Sequence, residues 1–202
     1  MRQTTDTRIV VIGDELAAGA GDARALGWVG RVAAKTAPLG PHVQFFGLGI
    51  PGEDSVGMAG RWQSEALRRF SKTSDNRLVL APGRGDITSG LSLARSRLNL
   101  ANILDEALSA EVSTFVVGPP PVLDADTNRR VGELASGFAD VASRRSVAYV
   151  DTFTPLVAHE QWRSDLAGTD GHCPGQAGYG LMAWLVLHRG WYSWLSLPDP
   201  AA

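Results

Sequence analysis

The chain of 202 residues has a single cysteine, Cys173. One thiol can neither close an internal disulfide nor build a cysteine-based metal centre, so both ways of stapling a fold are excluded. Basic clusters are equally scarce. Nothing exceeds the pairs Arg68-Arg69, Arg129-Arg130 and Arg144-Arg145, and 19 basic against 21 acidic residues leave a formal charge of -2. Nucleic acid and anionic membrane both call for a basic stripe, so neither partner is expected. Long apolar runs are missing too: the most apolar long segment, Tyr179 to Leu187, is far shorter than the roughly 20 residues that span a bilayer. Met1 to Thr7 is polar and lacks the charged, apolar and small-residue succession of a signal peptide, so cytoplasmic residence is the expectation. No internal repeat, linker or low-complexity tract appears, and residues 1–202 suit one α/β domain with its own core.

What the chain does contain is a regular alternation of element types. Arg8-Ile9-Val10-Val11-Ile12 is a β-branched run stopped by Gly13-Asp14-Glu15, the pattern of a strand buried on both faces of a parallel sheet. Further strands are expected over 43–48, 77–81, 112–117 and 147–151. Helices are expected over 27–35, from Asp54 or Ser55 to Phe70, and over 91–110, 127–145 and 175–188. Pro38-Leu39-Gly40-Pro41 ends the first helix, and Met58, Trp62, Ala66 and Phe70 repeat along the second at helical spacing. Five strands alternating with helices imply a parallel sheet covered on both sides, a three-layer α/β/α architecture. Ligands of such sheets bind at the carboxyl ends of the strands, where Asp14 and Glu15 stand.

Three strand ends carry glycine with acidic residues: Gly13-Asp14-Glu15, Gly49-Ile50-Pro51-Gly52-Glu53 and Gly83-Arg84-Gly85-Asp86. A fourth cluster, Thr169-Asp170-Gly171-His172-Cys173-Pro174, precedes the last helix. In this order the set resembles the SGNH hydrolase superfamily, the GDSL esterases and lipases, over essentially the whole chain. The resemblance implies a flavodoxin-like five-stranded sheet in the order 2-1-3-4-5, hydrolysis of small O-acyl esters as the family reaction, and no cofactor. It also aligns the family's functional positions. Glu15 stands where the family has its nucleophilic serine, and Gly85 where it has an asparagine oxyanion donor, while Gly83 and Asp86 match. Asp170, Gly171 and Pro174 match the last motif, but its histidine position falls on Cys173, with His172 one residue early. Gly52 matches the second-block glycine, whose amide would serve an oxyanion hole together with that of Leu16.

An ionised glutamate is a poor acyl nucleophile, and it sets negative charge beside a developing oxyanion. The ordinary serine mechanism is therefore expected to be disabled. Two readings follow. In one, Glu15 is a general base on water, with Asp170 and His172 as its catalytic partners and Asp14, Leu16, Gly52, Gly83, Gly85, Asp86 and Cys173 around the pocket. In the other, the chain is a silent pseudoenzyme or a small-ligand-binding module for an acyl ligand. A divalent cation on the same oxygens is a lesser alternative, since no metal-ligand spacing is present, and no metal is expected. Ser55 reads as a helix cap and Cys173 as a packed thiol. His42, His159 and His188 have no motif context, and Arg84 is either a solvated loop residue or an anion contact. The aromatic tail from about residue 189 is too apolar to hang free: either it packs back on the domain, or it joins two subunits as a homo-oligomer.

Overall fold

Four β-branched residues in succession leave strand β1 (Thr7–Gly13) without a polar face, and it lies inside the sheet with both sides covered. The computed structural model describes residues 6–40 and 42–200. Met1 to Thr5 of the polar amino terminus, and Pro41 at the stop after the first helix, lie outside the described residues. With β2 (Val43–Gly49), β3 (Asp75–Ala81), β4 (Ser113–Val117) and β5 (Ala148–Val150), β1 forms an all-parallel sheet in the order β2-β1-β3-β4-β5. Gly13 pairs with Gly49 on one side and Ala81 on the other, so three strands end level and their following loops share one edge.

Alternation along β1 divides the core in two. Ile9 and Val11 face the layer made by α1 (Gly27–Thr36), α7 (Glu160–Ala167) and α8 (Gln176–Val186). Val10 and Ile12 face α2 (Ser55–Leu67), α4 (Leu93–Ser109) and α5 (Ala125–Ser143). The two short helices α3 (Gly85–Thr88) and α6 (Phe153–Leu156) follow β3 and β5. Observed bounds stay within a few residues of the sequence expectation. Between β5 and Thr169, however, where the sequence signals no element, the chain forms α6 and α7. Pro155 falls in the first turn of α6, where its missing N–H costs nothing, and Trp162 and Leu166 bury the inner face of α7.

The aromatic tail packs back. Helix α8 continues through Leu187–Trp191, kinks at Arg189 and Gly190, and ends in α9 (Tyr192–Trp194). Gly190 has φ 93°, a conformation that favours glycine. Trp191 is fully buried, edge-on to Phe115 at 5.3 Å, and its indole N–H donates to Thr36 Oγ1 at 2.9 Å. The Arg77 guanidinium lies 5.1 Å over the Trp194 ring and donates to the Trp194 carbonyl. Among the described residues no helix is long and apolar enough to cross a membrane.

Candidate functional site

The level strand ends bring Asp14, Glu15, Gly52 and Arg84 together, and the turn before α8 closes over them. Asp14 begins the site with an Asx turn: its Oδ1 accepts the Leu16 amide at 2.9 Å and swings the chain out of β1. The Ala18 and Ala20 amides then bond the carbonyls of Asp14 and Glu15 at 3.2 and 3.0 Å, winding the loop tight. Tyr179 of α8, fully buried below, pins this loop by donating its hydroxyl to Ala20 O at 2.7 Å. Asp14 is only 1% exposed, and its Oδ2 has no hydrogen-bond partner among the described residues. That oxygen lies against Gly83, where a Cβ would come within 1.6 Å of it, so any side chain at 83 would displace the Asp14 carboxyl. Burial first, and then the neighbouring Glu15, push the Asp14 carboxyl up to about 7; the Leu16 amide and Arg84 oppose them.

Glu15 is 8% exposed and turns its carboxylate into the crevice. Oε2 accepts the Gly52 amide at 2.7 Å, and Oε1 faces Arg84 Nη2 at 3.4 Å. Gly52 presents that amide from the turn Ile50–Glu53, closed by a Glu53 N–H bond to Ile50 O at 3.1 Å. Its φ of 74° is the value required of the residue after proline in a type II turn. Arg61 fastens this loop, pairing with Glu53 and donating to Leu48 O at 2.7 Å. Arg84, open between two readings from sequence, is therefore an internal partner of Glu15, and its Nε is buried without an acceptor.

Several sequence expectations need correction here. The Leu16 amide is not free for an oxyanion, because Asp14 holds it. Asp86 is engaged on the α2 side: it is buried, and its Oδ1 accepts the Ser55 amide at the start of that helix. Ser55 is not the helix cap. Asp54 is, accepting from Val56 and Gly57 at 3.0 and 2.9 Å, while the buried Ser55 hydroxyl accepts from Asn99 Nδ2 at 2.8 Å. Asp170 and His172 do not join Glu15 in a hydrogen-bonded set. Asp170 Oδ1 accepts the backbone amides of His172 and Cys173 at 2.8 and 2.7 Å, and His172 Nδ1 is buried with no hydrogen-bond partner among the described residues. Burial opposes ionisation of Asp170, but these two amides outweigh it and hold the carboxyl below its ordinary range. Leu123 N–H ties the turn to the segment ahead of α5 through Gly171 O at 3.2 Å, and His172 lies within electrostatic reach of Asp124 there.

The residue that does reach the crevice from this turn is Cys173. A Cβ on Gly21 would lie 3.3 Å from that of Cys173, so the turn abuts the loop after β1. Burial, followed by the carboxylates of Asp170, Glu15 and Asp14, pushes the thiol up to about 12. It stays protonated and unreactive at neutral pH. Among the described residues no three His, Cys, Asp or Glu side chains are grouped to hold a metal ion, which leaves the cation reading without a ligand set.

The sequence model of the GDSL-like lipase/acylhydrolase family matches residues 11–181, from β1 into α8. The chain belongs to this family. No curated protein matches it. Among solved structures it is similar to a lipase/acylhydrolase from Enterococcus faecalis, with TM-score 0.78, 22% identity, and coverage of 97% of this chain and 100% of that one. It is also similar to an acetylxylan esterase from Geobacillus stearothermophilus, with TM-score 0.77, 18% identity, and coverage of 96% and 98%. A psychrotrophic esterase from Pseudoalteromonas sp. gives TM-score 0.73, 19% identity, and coverage of 95% and 100%. Solved forms of the Geobacillus enzyme include two catalytic mutants, one with a serine and one with a histidine changed to alanine. At these identities the likeness is one of fold.

One feature of this GDSL-family site is testable as packing alone. A Cβ on Gly85 would lie 2.0 Å from the Glu53 carbonyl oxygen, so the loop after β2 occupies the space of any side chain at 85. Gly85→Ala is expected to cost about 1–3 kcal/mol, as overpacking does. Chemical denaturation reads this directly; an unchanged midpoint would show that the two loops yield freely.

Proposed function

We propose that this chain is a catalytically silent GDSL-family protein, with the family's ester-hydrolase fold and a crevice closed by its own carboxylate. The observation that carries this is the seat of Glu15, with one oxygen on the Gly52 amide and the other facing Arg84. An oxyanion site works by keeping donors vacant until charge develops on the substrate. Here the Gly52 amide is engaged by Glu15, the Leu16 amide by Asp14, and Gly85 has no side chain to offer. By motif order, Glu15 and Cys173 stand where the family has its serine and histidine. The first would attack an acyl carbon only to form an anhydride, and the second is held as a thiol. His172, one residue early, makes no hydrogen bond or ion pair with Glu15 among the described residues.

The rival reading, Glu15 as a general base on water with Asp170 and His172 as partners, has no hydrogen bonding to support it: Asp170 holds its own turn's amides and Glu15 holds the Gly52 amide. The neighbouring Asp14 carboxyl, pushed up to about 7, turns its second oxygen toward Gly83 instead. The test is turnover of p-nitrophenyl acetate, p-nitrophenyl butyrate and acetylated xylan by the purified protein. Rates equal to buffer are expected for the wild type and for Glu15→Gln alike. Wild-type turnover that Glu15→Gln abolishes would overturn the silent reading in favour of carboxylate catalysis.

A further inference from the structure

Trp184 is the one member of the aromatic tail region that folding leaves in the open. It is 53% exposed on α8, while Trp191 and Tyr192 are buried. It forms one wall of a groove of about 700 Å³ between α1 and α8, on the outer face of the helical layer and apart from the strand-end crevice. That volume is typical of small-molecule sites. Leu26, itself 44% exposed, Leu187 and Tyr192 extend the apolar wall. His188 stacks on Trp184 with ring centroids 4.3 Å apart, and its Nδ1 donates to the Trp184 carbonyl at 2.8 Å, so the indole face is held in place.

The polar side chains that line this groove are basic: Arg31, Lys35 and His188, with no carboxylate among the described lining residues. Arg31 is held by Asp22 and by the Gly27 carbonyl, whereas Lys35 is exposed and forms no ion pair among the described residues. Asp199 lies within electrostatic reach of the Tyr192 hydroxyl but does not line the groove. A wall of exposed aromatic and aliphatic carbon, with an ammonium on its rim that no described carboxylate matches, suits one chemistry. We propose that the groove binds an anionic amphiphile, a small molecule with an aliphatic body against Trp184 and Leu26 and one carboxylate or phosphate head on Lys35. A second copy of the chain fits less well. A two-fold contact through this face would set Lys35 and Arg31 of one groove toward those of the other, and like charges across an interface oppose association.

The test is isothermal titration of the full chain with sodium decanoate and decyl phosphate below their micelle concentrations, with 1-decanol as the headless control. Saturable one-to-one binding of the two anions is expected, weaker in high salt, with decanol bound at least about tenfold more weakly, the scale of one charge contact. A Cβ on Gly180, on the groove floor, meets open space, so Gly180→Leu fills the groove without disturbing the core and should abolish binding. Lys35→Glu should weaken the anions about tenfold or more and leave decanol unchanged. Unaltered thermal midpoints would show that both variants are folded. Decanol binding as tightly as decanoate, indifference to Lys35→Glu, or absence of saturable binding by the wild type would overturn the proposal. A concentration-dependent dimer that Gly180→Leu dissolves would overturn it too, in favour of a self-association face.

Discussion

A protein carrying Glu15→Ser and Cys173→His together is expected to hydrolyse p-nitrophenyl acetate at least roughly 100-fold faster than its parent, the scale of one positioned general base. Removing the Glu15 carboxylate frees the Gly52 amide, which then points into the crevice with no acceptor of its own. An imidazole at 173 replaces a thiol within electrostatic reach of both Asp170 and Glu15, the place a base between a carboxylate and a hydroxyl must occupy. Members of such a set act as a unit, and either replacement alone should give almost nothing. Even the double variant should stay about 100- to 1,000-fold below a complete site, because one oxyanion donor is missing. Adding Gly85→Asn is no remedy: its Cβ collides with Glu53 O, and the triple variant should lose stability rather than gain rate. Burst and steady-state kinetics on folded protein decide the matter. Activity in Glu15→Ser alone would mean that His172 reaches position 15 after all. A folded but inert double variant would mean that positions 15 and 173 are not the attacking and proton-accepting positions.

The two halves of this site differ in how far sequence reveals them. Residues 9 to 12 announce a doubly buried strand because no polar face survives in four β-branched positions, and the Gly-rich ends of β1 and β3 mark where backbone must approach backbone. Gly83 reads as a motif glycine and Gly85 as a departure from the motif asparagine, and each sits where a Cβ would strike a neighbouring loop. What the amides do is not legible. Whether Gly52 N–H is vacant depends on the rotamer of a side chain 37 residues away in the chain. The roles of His172 and Cys173 likewise turn on which of two adjacent residues the Asp170 turn aims at the crevice. Both amides bond Asp170 Oδ1, and the turn's long-range neighbours, Gly21 on one side and Leu123 on the other, come from distant parts of the chain. Arg84 was undecidable for the same reason, since its partner comes from another strand end. Helices α6 and α7 escape notice because Pro155 and a short amphipathic stretch carry too little periodicity to compete with a loop reading.

Stability should fall, not rise, as the pH is raised from about 4 to about 7, and Asp14 is the reason. Its carboxyl titrates near the ordinary 3.8 when unfolded and at about 7 when folded, because burial and the adjacent Glu15 disfavour its charge. Between those values the folded chain holds a proton that the unfolded chain has shed. The unfolding free energy therefore drops by about 1.4 kcal/mol per pH unit, or about 4 kcal/mol over the window. Asp22 works in the opposite sense at lower pH. The Arg31 hydrogen bond lowers it to about 2, so its contribution is present above 3.8 and is lost as the pH falls through the folded value. Greatest stability is thus expected on the acid side of neutrality. Urea midpoints at pH 5, 6, 7 and 8 should decline in the wild type and lie nearly flat in Asp14→Asn. In that variant the side-chain oxygen still accepts the Leu16 amide but no proton is exchanged, so the slope is the readout rather than the absolute stability. A wild type as stable at pH 8 as at pH 5 would show that Asp14 is solvated in the folded state. The decline also reaches the crevice. Above about pH 7 a second negative charge stands beside Glu15, and the only cation facing the pair is Arg84 among the described residues.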